Sequence, residues 1–93
     1  MNQTIWKFEI PVVDAFSLLL PTKSEILSVQ QNQSSKKPCI WVLVYPDNPK
    51  EDRHFETFGT GHCIHNDMGV ERKYIGTCQL LEGTFVFHLF ERI

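Results

Sequence analysis

The chain has 93 residues, enough for one domain, because two cores of half that size would each bury too little surface to offset chain entropy. Its formal charge of -2 and isoelectric point near 6.0 argue against a general nucleic-acid binder, which usually has a basic face. No run of about 18 apolar residues would form a membrane-spanning helix. We therefore expect one soluble domain over residues 1–93, which would gain burial from homo-oligomerisation because the chain is short.

The N-terminus and the cysteines indicate the cytoplasm. Residues 1–4 contain no basic segment that leads into an apolar stretch, so no secretory signal is expected. The three cysteines, Cys39, Cys63 and Cys78, are odd in number and widely spaced, which is typical of reduced thiols. Cys39 and Cys78 lie in predicted strands, where we expect them to be buried.

Short β-branched and aromatic runs, separated by Pro, Gly, Asn or Asp, predict an all-β chain. In chain order the runs are residues 4–10, 15–20, 24–30, 39–45, 54–58, 73–81 and 84–90. The second run could instead form a single helical turn. Six or seven strands in a chain of this length imply a small antiparallel sandwich or a partly open barrel, with little or no helix.

The first and third runs alternate between apolar and polar residues. Trp6 and Phe8 share one face of the first run, as in a half-buried strand. In the third run, Leu27 and Val29 are expected on the face opposite Ile26.

The run over residues 39–45 is apolar on both faces, with Trp41 and Leu43 on one face and Ile40 and Val42 on the other. Such a strand is covered on both sides. The outer cover would be a second layer of the same chain or a partner subunit, and the shortness of the chain favours a partner.

Three connections are predicted from turn chemistry. Residues 46–53 contain two prolines and several charges, so we expect a solvated loop. Gly76 is expected to bend its strand. Glu82-Gly83 is expected to form a tight turn into the last strand, which makes residues 73–90 a hairpin.

Gly59-Thr60-Gly61-His62, here called the glycine turn, is the most site-like segment. It follows a predicted strand, where loops on a rigid scaffold often carry function. Its glycines allow positive φ and can expose N–H groups to a phosphate or carboxylate, while Thr60 and His62 add polar side chains. It lacks the Lys-Ser/Thr and the helix of a P-loop. Two interpretations stay open: an anion-binding loop, or a turn that needs glycine dihedrals.

The segment His62-Cys63-Ile64-His65 contains residue types that zinc sites favour. Adjacent residues rarely chelate one ion well, and no fourth ligand is evident, so no metal and no cofactor are expected. A nucleophilic Cys63 paired with a histidine base lacks a third, orienting group. We interpret Cys63 as a loop thiol.

Other residues could complete a pocket beside the glycine turn. Trp41 or Tyr74 could stack on a planar ring, in a wall shared with Tyr45 and Phe58. Arg53, close to the turn in sequence, could pair with a phosphate. The alternative places the aromatic side chains in the core and leaves Arg53 solvated.

Catalysis is not expected. The sequence contains no pair of carboxylates in an apolar setting, which general acid–base work requires. Asp14, Glu25, Glu56 and Glu91 each lie next to polar residues or a chain end. We interpret His88 as a hydrogen-bonded histidine at a core edge or an interface.

Six segments, taken in order, resemble a family of short proteins encoded by tailed bacteriophages and prophages. They are IWKF at 5–8, EILSVQ at 25–30, IWVLV at 40–44, FGTGH at 58–62, YIGT at 74–77 and FVFHLFE at 85–91. The resemblance covers nearly the whole chain and implies location in the cytoplasm of an infected bacterial host. In similar sequences proline usually follows the histidine of the fourth segment. Here Cys63 follows it, which further weakens a role for this thiol.

By analogy with small phage proteins, two functions are predicted. The first is a non-enzymatic binding protein that sequesters a nucleotide-derived immune signal, with the glycine turn on its anionic part and Trp41 or Tyr74 on its ring. The second is a protein–protein interaction module that inhibits a host protein or serves as a phage accessory component. It would dock through residues 39–45 or the last hairpin. A hydrolase that acts on such nucleotides is a minor third alternative.

Overall fold

The computed structural model describes residues 2–65 and 69–93. Met1 and residues 66–68, part of the connection after the glycine turn, lie outside the described residues. The strands are β1 (Thr4–Glu9), β2 (Ala15–Pro21), β3 (Glu25–Gln31), β4 (Pro38–Val44), β5 (Lys50–Gly59), β6 (Arg72–Leu80) and β7 (Phe85–Arg92). Residues 15–20 are therefore extended, and not a helical turn.

The seven strands form two antiparallel sheets. One sheet has the order β1-β4-β3, and the other has the order β2-β5-β7-β6. They pack as a sandwich that does not close into a barrel, which confirms the all-β prediction. Within the described part of the chain, the helical content is one 3₁₀ turn at Leu81–Gly83, and no helix is long and apolar enough to cross a membrane.

Alternation builds the core, since every second side chain of a strand points into the sandwich. The buried cluster consists of Ile10, Leu20, Val29, Ile40, Val42, Val44, Phe55, Cys78, Leu80, Phe87 and Leu89. Trp6 and Phe8 pack against it from β1, as the alternation predicted. Full burial of side chains this large is the main stabilising contribution of the fold.

The facing predicted for β3 is wrong. The pairing with β4 shifts between Ile26 and Ser28, so Leu27 is the extra residue of a β-bulge. The bulge turns Ile26 and Val29 to the same, inner side, whereas Leu27 is exposed. No glycine or proline marks this position in the sequence.

The solvated loop predicted over residues 46–53 is too long. β5 begins at Lys50, and Leu18 and Leu19 of β2 pair with Arg53 and Asp52. Pairing with β2 supplies backbone hydrogen bonds to residues 50–53, whereas β7 pairs with β5 only from His54 onward. Residues 50–53, the second half of the predicted loop, are therefore extended although they are all charged.

The outer face of β4 is only partly covered by this chain. Trp41 and Leu43 are half-buried, and Lys7 of β1 lies opposite Trp41 with its Nζ 6.0 Å from the ring centroid. The ammonium group thus marks the solvent side of this sheet. Coverage of this face by a partner subunit stays a prediction.

The last hairpin is as predicted. The pairing of β6 with β7 shifts between Tyr74 and Gly76, so the strand is irregular where the glycine was expected to bend it. Glu82 and Gly83 have φ of 55° and 86°, and the Thr84 N–H donates to the Leu81 carbonyl at 3.0 Å. Positive φ at both central residues, Glu82 and Gly83, is that of a type I′ turn. Leu81, predicted as the end of the strand, has φ of 50° and belongs to the turn.

Candidate functional site

The glycine turn closes directly after β5. The His62 N–H donates to the Gly59 carbonyl oxygen at 3.1 Å, and Gly61 has φ of 86°. A positive φ at the third residue is the requirement of a type II turn, and glycine meets it at no steric cost. The turn interpretation is therefore correct as geometry, and the question is what the turn presents.

The His62 side chain folds back over the start of its own turn. A Cβ atom built on Gly59 would lie 2.8 Å from His62 Cε1 and 2.9 Å from Nδ1. Gly59 thus lets the imidazole lie against the backbone. Any side chain at this position would push the ring away.

A chain of hydrogen bonds crosses the outer face of the four-stranded sheet beside the turn. Thr60 Oγ1 lies 2.8 Å from His88 Nε2, and Thr77 Oγ1 lies 2.8 Å from His88 Nδ1. The Tyr74 hydroxyl lies 2.6 Å from Thr77 Oγ1. Both ring nitrogens of His88 are engaged, so its orientation is held from two sides. We call Thr60, His88, Thr77 and Tyr74 the histidine chain.

Aromatic rings flank the histidine chain. Phe90 makes edge contacts with Phe58 at 5.7 Å and with Tyr74 at 5.4 Å between ring centroids. The Arg72 guanidinium lies 5.6 Å from the Phe58 ring, and its Nε donates to Glu56 at 2.7 Å. Cation–π and ion-pair contacts together fix the arginine over the ring.

A groove of about 750 Å³ lies between the β1–β2 connection, the glycine turn and the start of β7. Its polar lining includes Asp14, Glu56, Thr60 and His62. Among the described residues that line it, none is lysine or arginine. The wall therefore mixes polar and apolar side chains, and of its two carboxylates Glu56 is paired with Arg72. A wall without a basic side chain is a poor match for a bare polyphosphate.

The structure brings together some predicted site residues and separates others. Gly59, Thr60 and His62 line the groove, and Tyr74 joins Thr60 through the histidine chain. Trp41 belongs to the other sheet, on its solvent side. A wall that combines Trp41 with Tyr74 is therefore wrong, because the two rings lie on different sheets.

Arg53 is not a free cation for a phosphate. Its Nη2 donates to Glu91 Oε1 at 2.8 Å, its Nε donates to the other carboxylate oxygen, and its Nη1 donates to the Ser24 carbonyl at 2.9 Å. The hydrogen bond to Glu91 raises the pKa of the guanidinium, against the opposing effect of burial. The predicted phosphate contact is thus replaced by an internal ion pair.

Sequence reasoning missed Thr77 and Asp14. The signal for Thr77 was available: with Leu80 opposite Phe85 across the predicted turn, counting along both strands brings Thr77 opposite His88. Asp14 lies in the connection before β2, and its carbonyl oxygen accepts from the Thr57 N–H at 3.0 Å. No local pattern marks a contact between residues so far apart in the chain.

In residues 2–65 and 69–93, no group of three or more His, Cys, Asp or Glu side chains is placed to hold a metal ion. His62, Cys63 and His65 are among these described residues. The three cysteines are free, with Cys63 exposed and the other two buried. Burial, together with the nearby Cys39, raises the pKa of the Cys78 thiol.

We expect only Cys63 to react quickly with a thiol reagent such as DTNB under native conditions. The thiolate is the reactive form, and burial both hides Cys78 and keeps it protonated. Absorbance should show one fast thiol per chain, and Cys63→Ser should abolish that phase. A fast phase that survives in Cys63→Ser would contradict the burial of the other two cysteines.

The model of the family described as "Domain of unknown function (DUF7352)" matches residues 1–93. No curated protein matches the chain, and no solved structure matches it. The family match includes the glycine turn, the groove and every strand described above. The chain belongs to the family of the Domain of unknown function (DUF7352).

Proposed function

We propose that this chain is a non-enzymatic binding protein whose site is the groove beside the glycine turn. The observation that carries the proposal is the groove of about 750 Å³, lined by Gly59, Thr60 and His62 at the end of a strand. Pockets for small molecules are typically about 300–1,000 Å³, largely apolar, with a few fixed polar groups. Strands β5 and β7 form one wall of the groove, and the β1–β2 connection and the glycine turn form the rest.

The lining favours a ligand with a ring and hydrogen-bond donors. Asp14 and the second carboxylate oxygen of Glu56 can accept from an amino or hydroxyl group, since Glu56 Oε1 already accepts from Arg72 Nε at 2.7 Å. The pair with Arg72 offsets the charge of Glu56, so Asp14 is the carboxylate that would repel a polyanion. Phe58 and Phe85 line the apolar part. Among nucleotide-derived signals, we therefore favour recognition through the base and sugar, with any phosphate near the turn and His62.

Sequestration is the use that fits such a site. Among the described residues that line the groove, none is a serine that could act as a nucleophile. The cysteine of the lining, Cys63, belongs to the exposed segment after the glycine turn. A protein that holds an immune signal intact needs only shape and hydrogen bonds. The resemblance to phage proteins supports this biological role.

The test is calorimetry of the purified protein with a panel of nucleosides, cyclic nucleotides and ADP-ribose derivatives. His62→Ala is expected to weaken binding about 3–10-fold, the effect of one lost hydrogen bond. His54→Ala is the matched control, because His54 is also exposed but does not line this groove. Absence of binding across the panel would count against the proposal. Chemical change of a recovered ligand would instead favour a hydrolase.

A second candidate is a protein-interaction module. The observation that favours it is the exposure of Val12, Val13 and Phe85 at the groove, since exposed apolar side chains that cluster mark contact surfaces. If the chain is an interaction module, the double variant Thr60→Ala/His62→Ala should bind the partner protein with unchanged affinity. If the chain is a ligand-binding protein, the same variant should bind its ligand more weakly.

A further inference from the structure

β2 is, with β6, one of the two edge strands of the four-stranded sheet. Its order is β2-β5-β7-β6, and within the described residues β2 pairs with β5 alone. An edge strand leaves a row of N–H and C=O groups that can pair with another chain. In β2, only every second residue can present such groups outward.

Two hydrogen bonds at the ends of β2 show which residues have their N–H and C=O groups free for pairing. The Thr57 N–H donates to the Asp14 carbonyl at 3.0 Å, and the Thr22 N–H donates to the Pro49 carbonyl at 2.8 Å. In an antiparallel ladder, hydrogen-bonded residues alternate along each strand. The even-numbered residues of β2 therefore bond to β5. Ala15, Ser17 and Leu19 direct their N–H and C=O groups outward.

This edge lacks the usual protection against strand pairing. β2 carries no charged side chain, and its proline, Pro21, is the last residue. The other three edge strands all carry charge: β1 has Lys7 and Glu9, β3 has Glu25, and β6 has Arg72 and Lys73. Charged side chains on an edge strand discourage pairing, so β2 is the edge that permits it best.

The inner face of β2 is also incomplete. Phe16 and Leu18 pack against the core but are only half-buried. Phe16 stacks on Phe55, with ring centroids 5.3 Å apart. Apolar side chains that point inward yet stay partly exposed would gain burial from one further strand.

We propose that a second copy of this chain pairs with β2, strand against strand, about a two-fold axis at Ser17. This register joins the outward groups of Ala15, Ser17 and Leu19 in about six backbone hydrogen bonds. It also places Phe16 of each copy opposite Leu18 of the other, so the half-buried side chains cover one another. The result is one continuous sheet of eight strands. No like charges meet, because β2 has none.

The test uses light scattering and native mass spectrometry of the whole chain. We expect the wild type to have twice the 10.8 kDa chain mass. Leu19→Pro removes an outward N–H and leaves the ladder with β5 intact, so it should raise the dimer dissociation constant about 30-fold or more. Leu19 is preferred to Ser17, whose hydroxyl lies 2.9 Å from His54 Nδ1.

The matched pair of variants is Leu19→Lys and Ile5→Lys. Both residues lie on free edge strands, and their exposures are similar, at 57% and 54%. Leu19→Lys should give a folded monomer by circular dichroism, and Ile5→Lys should stay dimeric. A monomeric wild type at high concentration would overturn the proposal. So would dissociation by Ile5→Lys with Leu19→Lys unaffected.

Discussion

Glu91→Gln is expected to lower the free energy of unfolding by about 3 kcal/mol, because it leaves the Arg53 guanidinium enclosed without its counter-charge. The side chains of Arg53 and Glu91 are only 17% and 10% exposed. The carboxylate accepts two hydrogen bonds from the guanidinium, and the third goes to the Ser24 carbonyl. Urea unfolding, followed by tryptophan fluorescence, measures the loss.

Two control variants distinguish the effect of breaking the enclosed ion pair from the effect of removing any carboxylate. Glu9→Gln removes a carboxylate from a surface pair, Lys37–Glu9 at 3.8 Å, whose side chains are 69% and 50% exposed. Surface pairs contribute little, so this change should cost less than about 1 kcal/mol. Arg53→Met/Glu91→Leu removes both charges and should recover most of the loss. Equal losses in Glu91→Gln and Glu9→Gln would contradict a special role for the enclosed pair.

The sign of the pH dependence follows from the Arg53 pKa. The pKa is raised in the folded state, chiefly by the hydrogen bond to Glu91. The contribution of this guanidinium to stability is therefore complete below its unfolded pKa, and it is lost only as the pH rises through the folded pKa. Since that range is strongly alkaline, protonation of Arg53 does not vary near neutral pH.

The strands were predictable because half-burial leaves a period of two in the sequence. The same rule shows why the start of β5 and the bulge at Leu27 were missed. Lys50–Arg53 is extended because β2 pairs with it, and a polar run carries no trace of its partner strand. Leu27 is displaced by the pairing of β3 with β4, and a bulge without glycine has no local signature.

Two parts of the candidate site were predictable: the glycine turn from its own residues, and the Thr77–His88 pair from the register of the last hairpin. Positive φ at Gly61 follows from the glycine itself, whereas the position of His88 depends on strand register and that of Trp41 on sheet assignment. An aromatic residue in a strand does not reveal which of two sheets it joins. Proximity in the sequence was misleading for Arg53 as well, because its carboxylate partner, Glu91, lies near the other end of the chain.

Gly76→Ala is expected to lower the free energy of unfolding by about 1–2 kcal/mol, although alanine suits a strand better than glycine does. Its Cβ would lie 2.9 Å from Val29 Cγ1, where β6 passes β3 and the two sheets meet. Val29 is 6% exposed and β-branched, so it has little freedom to rotate away. Backbone strain is not involved, since Gly76 does not have a positive φ.

A double-mutant cycle with Val29→Ala isolates this contact. Val29→Ala removes the Cγ1 atom that the new methyl group would meet. In that background Gly76→Ala should cost close to nothing, so the two changes should couple by about 1 kcal/mol or more. Additive losses in urea unfolding would show that the sheets do not meet closely at this point. A loss in the double variant that is smaller than the sum of the two single losses would explain why glycine occupies the bend of β6. The small residue allows the two sheets of the sandwich to approach each other beside the core.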